Sequence, residues 1–140
     1  MIDNFKGKFL FLSNFWPCPI EFDGEQYPSV EHAYQAAKTD APVLRQQVSK
    51  AGSASAAKKL GRKLPLSDKW ESEKLELMEY LVEQKFSIPY LKLALLNTDQ
   101  EELIEGNWWK DYFWGVCAGI GENHLGKILM KVREKFQNES

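Results

Sequence analysis

A chain of 140 residues with 44% hydrophobic and 27% charged positions has the length and make-up of one globular domain, and it needs no staples to bury a core. A formal net charge of -2 excludes the broad basic footprint of a sequence-independent nucleic-acid binder, though not a local cationic pocket. No stretch approaches the ~20 apolar residues of a membrane span. The N-terminal MIDNFKGKFLFLSNF lacks a signal peptide's apolar run, and Cys18 and Cys117 sit at no ligand spacing. The expectation is a cytoplasmic single domain over residues 1–140 with two reduced thiols, no metal and no membrane contact.

From Phe9 to Ile20 the residues are apolar and β-favouring, broken by Ser13-Asn14 and by Pro17 and Pro19. This predicts short strands on either side of a loop. Asp23-Gly24 predicts a hairpin turn. Ser29 predicts the N-cap of a helix in which Val30, Ala33, Tyr34 and Ala37 form a buried stripe, with Glu31, Gln35 and Lys38 on a separate polar stripe. A helix over Pro42–Lys50 ends at Gly52, and Ser53 opens a short one that stops at Gly61. Ser67 is expected to cap the longest helix, Asp68 to Phe86, with Leu75, Met78, Leu81, Val82 and Phe86 at helical spacing. Pro89 starts the next helix, which runs to Asn97. EELIEG reads as a short strand or a helical turn. A last helix runs from Asn123 to Phe136 and buries Leu125, Ile128, Leu129, Val132 and Phe136. The fold class is α+β with more helix than strand.

Four places carry candidate chemistry. Glu31 lies in a helix's first turn, where exposed N–H groups favour an acid for structural reasons and also keep it ionised. An ionised, fixed carboxylate can stabilise a cationic transition state or orient water. His32 beside it is either a buried, hydrogen-bonded imidazole or a ligand contact. In LSNFWP, Asn14 can serve a base or sugar edge with Phe15 as a stacking face, or simply make a turn. WWKDYFWG sets Asp111 among rings, including Trp114, where a carboxylate is costly unless paired or used. GIGENHLG, with Gly119, Gly121 and Gly126 before and inside a helix start, resembles a phosphate-cradling loop without being a Walker A, and Arg62 can add a bidentate grip. These parts suit a nucleotide-like ligand.

FLSNFWPCPIEFDGEQYPSVEHAYQAAKT, AAKKLGRKLPLSDKWE and YFWGVCAGIGENHLGKILMKVRE, in that order, resemble the YbiA-like family, also called NADAR domains. The resemblance spans about Phe5 to Arg133. It implies a compact helix-rich α+β fold with a small sheet, no metal or cofactor, and hydrolysis of the bond between a ribose carbon and a nitrogen. Two activities go with the family: removal of ADP-ribose from ADP-ribosylated guanine, the first expectation here, and release of ribose 5-phosphate from riboflavin-pathway intermediates. A binding module for ADP-ribose or NAD without catalysis is the reading from another class.

Carried over residue by residue, the resemblance makes Glu31, Asp111 and Trp70 catalytic, with Trp70 lining the site. It assigns substrate contact to Ser13, Asn14, Phe15, His32, Arg62, Trp114, Gly121 and Asn123. The partners implied are an ADP-ribose-type or ribosylaminopyrimidine phosphate ligand, and ADP-ribosylated nucleic acid as a substrate. One departure stands out. Where relatives continue WGDG, this chain has Gly115-Val116-Cys117-Ala118.

Overall fold

The computed structural model of the chain describes residues 1–139. Among them it contains six α-helices, one 3₁₀ helix and two two-stranded sheets, a helix-rich α+β architecture. The chain divides into two units, Asn14–Leu81 and Met1–Ser13 with Val82–Ser140.

In the Asn14–Leu81 unit, β1 (Pro17–Phe22) and β2 (Glu25–Ser29) pair antiparallel across Asp23-Gly24. Both turn residues have positive φ, 52° and 83°, as a two-residue hairpin turn with the strand twist requires. The register slips between Pro17 and Ile20, where Pro17 and Pro19 have no N–H to give a ladder. Ile20 faces Tyr27 across the hairpin, and both are buried. Ser29 then caps α1 (Val30–Ala36), its Oγ accepting from the His32 N–H at 3.1 Å.

All seven residues of α1 are buried, not only the apolar stripe that the spacing predicts. The hairpin, α2 (Pro42–Ser49) and α3 (Ala54–Gly61) all pack on it. Ser53 caps α3 by accepting from Ala56 N–H at 3.0 Å. The longest helix, α4 (Trp70–Phe86), begins two residues later than expected. Ser67 accepts the Trp70 N–H through its carbonyl at 3.1 Å. Met78, Leu81, Val82 and Phe86 are buried as the spacing predicts, but Leu75 is 40% exposed.

In the other unit, Gly7–Leu12 forms a 3₁₀ helix where a strand was expected from Phe9. Phe9 N–H donates to Lys6 O at 3.0 Å and Ser13 N–H to Leu10 O at 2.9 Å, so local i to i+3 bonds replace strand pairing. Leu12 is sealed inside, and Phe11 meets Phe86 edge-on at 6.4 Å. The buried Lys85 donates to Ser13 O at 2.7 Å. α5 (Pro89–Leu96) packs on α6 (His124–Asn138), whose five expected apolar positions are all buried. Arg133 is buried with them and donates to Thr98 Oγ1 at 2.8 Å. In EELIEG, Leu103 bridges to Ile2 in parallel, and β3 (Gly106–Asn107) pairs in parallel with β4 (Val116–Cys117). Cys18 and Cys117 are buried and form no disulfide. Among the described residues no helix is long and apolar enough to cross a membrane.

Leu129 is fully buried on α6, whereas Ile120 is 66% exposed. Urea unfolding is expected to show a loss of about 2–5 kcal/mol for Leu129→Ala and a change within about 0.5 kcal/mol for Ile120→Ala.

Candidate active site

Glu31 is only 8% exposed, although it carries a carboxylate. Its own N–H donates to Asn14 O at 3.1 Å, which ties the SNF loop to the start of α1. One turn on, Gln35 Nε2 donates to Glu31 Oε2 over 3.4 Å, a long contact inside the protein. The other end of that amide, Oε1, meets no donor among the described residues. Leaving a buried acceptor unmet costs about 1–3 kcal/mol. Gly61, the last residue of α3, comes so close that a Cβ there would lie 1.8 Å from Gln35 Oε1.

Lys38 completes the stripe. Burial holds its ammonium below the ordinary lysine value of 10.5. Glu31 pulls it back up, and Arg62, Lys74 and Lys58 push it further down. Lys58 lies on α3, Arg62 is its C-cap and Lys74 lies on α4, where it also pairs with Glu71 at 2.7 Å. Elements far apart in sequence thus gather cations around Lys38, which itself feels the buried Glu31 carboxylate.

The remaining expected residues of this unit behave differently. His32 is 3% exposed, and both of its ring nitrogens are engaged. Nε2 faces Ala51 O at 3.1 Å, and a carbonyl can only accept, so Nε2 carries the proton. Nδ1 then accepts from Ser29 Oγ at 2.7 Å. His32, expected to contact substrate, locks α1 to the loop before α3 through both ring nitrogens. Trp70 is 5% exposed and lies against Tyr34, ring centroids 5.0 Å apart and tilted 56°. Little of its surface is left open, so the site lining expected of it rests on a nearly covered ring. Asn14 Nδ2 points at Met78 Sδ at 3.5 Å. Phe15 is exposed, with Lys58 Nζ 6.0 Å from its ring centroid.

Ser13, Asp111, Trp114, Gly121 and Asn123 belong to the second unit. Asp111 Oδ1 accepts from the N–H groups of Phe113 at 3.2 Å and Trp114 at 2.9 Å. The Asn107 side chain brackets the Asp111 backbone, accepting from its N–H at 3.1 Å and donating to its carbonyl at 3.0 Å. The acid among the rings is thus a turn-maker. Trp114 leans on Phe113 and His124.

The phosphate loop expected at Gly121 and Asn123 is not built as one. The N–H groups of Glu122, Asn123, His124 and Leu125 donate to the carbonyls of Tyr112, Gly115, Phe113 and Trp114. The amides that would greet an anion are occupied by the chain itself. The Asn123 side chain staples the loop as well, donating to Leu103 O at 3.0 Å and accepting from Glu105 N–H at 2.9 Å. Gly121, with φ 149°, lies where a Cβ would come 2.1 Å from Gly115 O. The WGVC departure falls on β4, where Val116, in place of the acid, is half-buried and Cys117, in place of the glycine, is buried.

Sequence reasoning passed over Gln35, Lys38, Lys58 and Lys74. The i, i+4, i+7 stripe beginning at Glu31 was the signal for the first two. No local signal marks Lys58 or Lys74. Elsewhere in the Asn14–Leu81 unit, a cleft of about 420 Å³ between hairpin and α2 is lined by Asp23, Tyr27, Asp40 and Arg45 but not by Glu31. Arg45 is spent there on Asp23 at 2.7 Å and Thr39 O at 2.7 Å. Among the described residues no three His, Cys, Asp or Glu side chains gather as a metal ion would need.

The fold is helix-rich α+β, and its Asn14–Leu81 unit holds a buried glutamate beside Lys38. The sequence profile of the NADAR domain matches residues 3–137. The chain belongs to that family. It is 35% identical over 132 residues to the N-glycosidase YbiA of Escherichia coli, covering 91% of this chain and 82% of that protein. To an N-glycosidase of Nostoc punctiforme it is 37% identical over 135 residues, 91% of this chain and 85% of the relative. To a riboflavin biosynthesis protein of Vibrio vulnificus it is 41% identical over 135 residues, 93% of this chain but only 36% of that longer protein. The NMR structure of E. coli YbiA superposes with a TM-score of 0.85 at 34% identity, covering 99% of this chain and 88% of that one. These likenesses support a glycosidase-type function.

Two tests separate structure from chemistry here. Asp111→Asn keeps Oδ1 and is expected to retain the loop, while Asp111→Ala strands two N–H groups and loses about 1–3 kcal/mol by urea titration. For Lys38, the folded protein binds fewer protons than the unfolded chain between the lowered value and 10.5, so stability rises with pH through that window. Wild type is therefore expected to gain melting temperature relative to Lys38→Met as the pH climbs from neutral toward 10.5. A constant gap would place the Lys38 ammonium in a water-like setting.

Proposed function

We propose that the chain hydrolyses an N-glycosidic bond between ribose and a base nitrogen in a phosphorylated substrate. The observation that carries this reading is the buried Glu31 carboxylate beside Lys38, with Lys58, Arg62 and Lys74 close enough to depress the Lys38 ammonium. As a C–N glycosidic bond lengthens, positive charge grows on the ribose ring, and a fixed carboxylate stabilises it. Water adds to C1′, and the bonding pair leaves with the base. The water's proton passes to Glu31 and is returned to the departing nitrogen. The cations suit the substrate's phosphate, which Arg62 grips in a fork and the lysines hold as point charges. With Asp111 Oδ1 committed to its loop, the chemical role in this reading falls on Glu31.

Two substrates fit this description: ADP-ribosylated guanine, and ribosylaminopyrimidine 5-phosphates of riboflavin synthesis. Riboflavin-biosynthesis names carried by relatives in Vibrio vulnificus and Zea mays favour the second as the first to assay.

Both substrates would be incubated with wild type and Glu31→Gln and the products identified. Glu31→Gln is expected to fold and to lose roughly 10²- to 10⁴-fold in turnover. A folded Gln variant with normal turnover would sink the assignment, and binding of ADP-ribose without any turnover would favour a reader module. Removing the phosphate from the turned-over substrate is expected to lower kcat as well as raise KM, because remote binding is then lost at the reacting centre. A change in KM alone would confine the cations to capture.

A further inference from the structure

Gln35 has no role in the reading above, yet it is a buried side chain whose amide faces the Glu31 carboxylate. Its geometry is over-determined. The amide lies with Nε2 3.4 Å from Glu31 Oε2 and Oε1 against Gly61. Turning the amide over would set its oxygen lone pairs against a carboxylate and send the NH₂ group to the Gly61 side, so the charge on Glu31 selects the orientation. On that side the fit is tight: a Cβ at Gly61 would lie 1.8 Å from Oε1, 2.5 Å from Cδ and 3.0 Å from Cβ of Gln35. The cost is visible too, because Oε1 has no donor among the described residues. A buried oxygen left unmet so that the nitrogen can face one carboxylate is unusual in a site that needs only packing.

We propose that Gln35 is a positioning residue for the Glu31 carboxylate, and that Gly61 belongs to the same device because its bare Cα holds the Gln35 amide in line. This rests on the reading that Glu31 performs the chemistry. Gln35 fixes the carboxylate's rotation and favours its ionised form by donating to it. Gly61 lies at the end of α3, one residue before Arg62, so a single backbone segment sets both the amide clamp and the start of the cation cluster.

The test uses the full chain labelled with ¹³C at glutamate side chains, with Glu31→Gln identifying the Glu31 carboxyl signal. Wild type, Gln35→Leu, Gly61→Ala and the double variant are titrated by NMR. Each is also assayed on whichever of the two substrates named above is turned over. Gln35→Met replaces Gln35→Leu if the latter does not fold. The Glu31 signal is expected to titrate at higher pH in each variant, and the acid limb of kcat/KM to move with it. The expected fall in kcat is roughly 10- to 100-fold with a much smaller change in KM. Gly61→Ala is expected to act in the same direction, because the cheapest relief of the clash is rotation of the Gln35 amide. The double variant is expected to lose no more than the worse single one. An unmoved Glu31 titration in folded variants overturns the proposal, whatever happens to turnover. A rise in KM alone also overturns it and leaves Gln35 a packing residue. Full turnover by Glu31→Gln removes the chemistry that Gln35 is meant to serve; that outcome appears in the Glu31 arm and is told apart from a failure of the clamp.

Discussion

A carboxylate cannot leave water unless something takes the water's place, and the Asn14–Leu81 unit is organised around that constraint at Glu31. Seven residues of helix are too few to stand alone, and every one of α1's is buried. The helix is therefore held from outside by the hairpin, α2 and α3. The same neighbours supply what the carboxylate needs. The helix gives Gln35 and Lys38, the end of α3 brings Arg62 toward Lys38, and the Asn14 carbonyl holds the Glu31 N–H and so the start of the helix. His32 locks the next segment by spending both ring nitrogens on Ser29 and Ala51. Packing around α1 and equipping Glu31 are one arrangement seen from two sides.

What was legible in the sequence was local. Ser29 and Ser53 cap helices because their hydroxyls meet N–H groups three residues on, a bond within the reach of a short window. The α6 stripe was legible because period 3.6 is written in the residue order, and the Asp23-Gly24 turn because positive φ restricts residue choice. What failed depended on partners that a window does not contain. Phe9 to Leu12 has strand composition, but no strand is there to pair with it, and the chain closes i to i+3 bonds instead. Leu75 sits on the right period, yet it is left 40% exposed. Lys58 and Lys74 reach Lys38 only through the fold, and Arg133 is buried only because Thr98 receives it.

Motifs that look chemical can owe their form to architecture. Asp111 and Asn123 are residue types that active sites favour, and each has side-chain atoms that meet backbone groups of its own loop. A loop that must turn from Tyr112 to the start of α6 leaves N–H and carbonyl groups without regular partners, and these must be met inside the protein. Four amides before and within the first turn of α6 meet four carbonyls of Tyr112–Gly115, which is the hydrogen-bond closure that a phosphate would otherwise supply. A Gly-rich sequence at a helix start therefore does not by itself distinguish an anion cradle from a self-satisfied loop. The N–H count does.

The charge balance around Glu31 bears on when the carboxylate can act. Lys38, Lys58, Arg62 and Lys74 are all cations, and Lys74 also pairs with Glu71. Cations oppose a ribose ring that is becoming positive just as a carboxylate favours it, and at similar range the two effects compete. A phosphate group seated among them reverses this, since its two negative charges cancel the repulsion and leave the carboxylate's attraction standing. In that arrangement the phosphate does more than anchor the substrate. It removes the field that would otherwise disfavour bond breaking, so the same contacts that bind the ground state become worth more in the transition state. A lysine whose proton affinity is already lowered by burial gains most from the arriving anion, and Lys38 is the one placed beside Glu31.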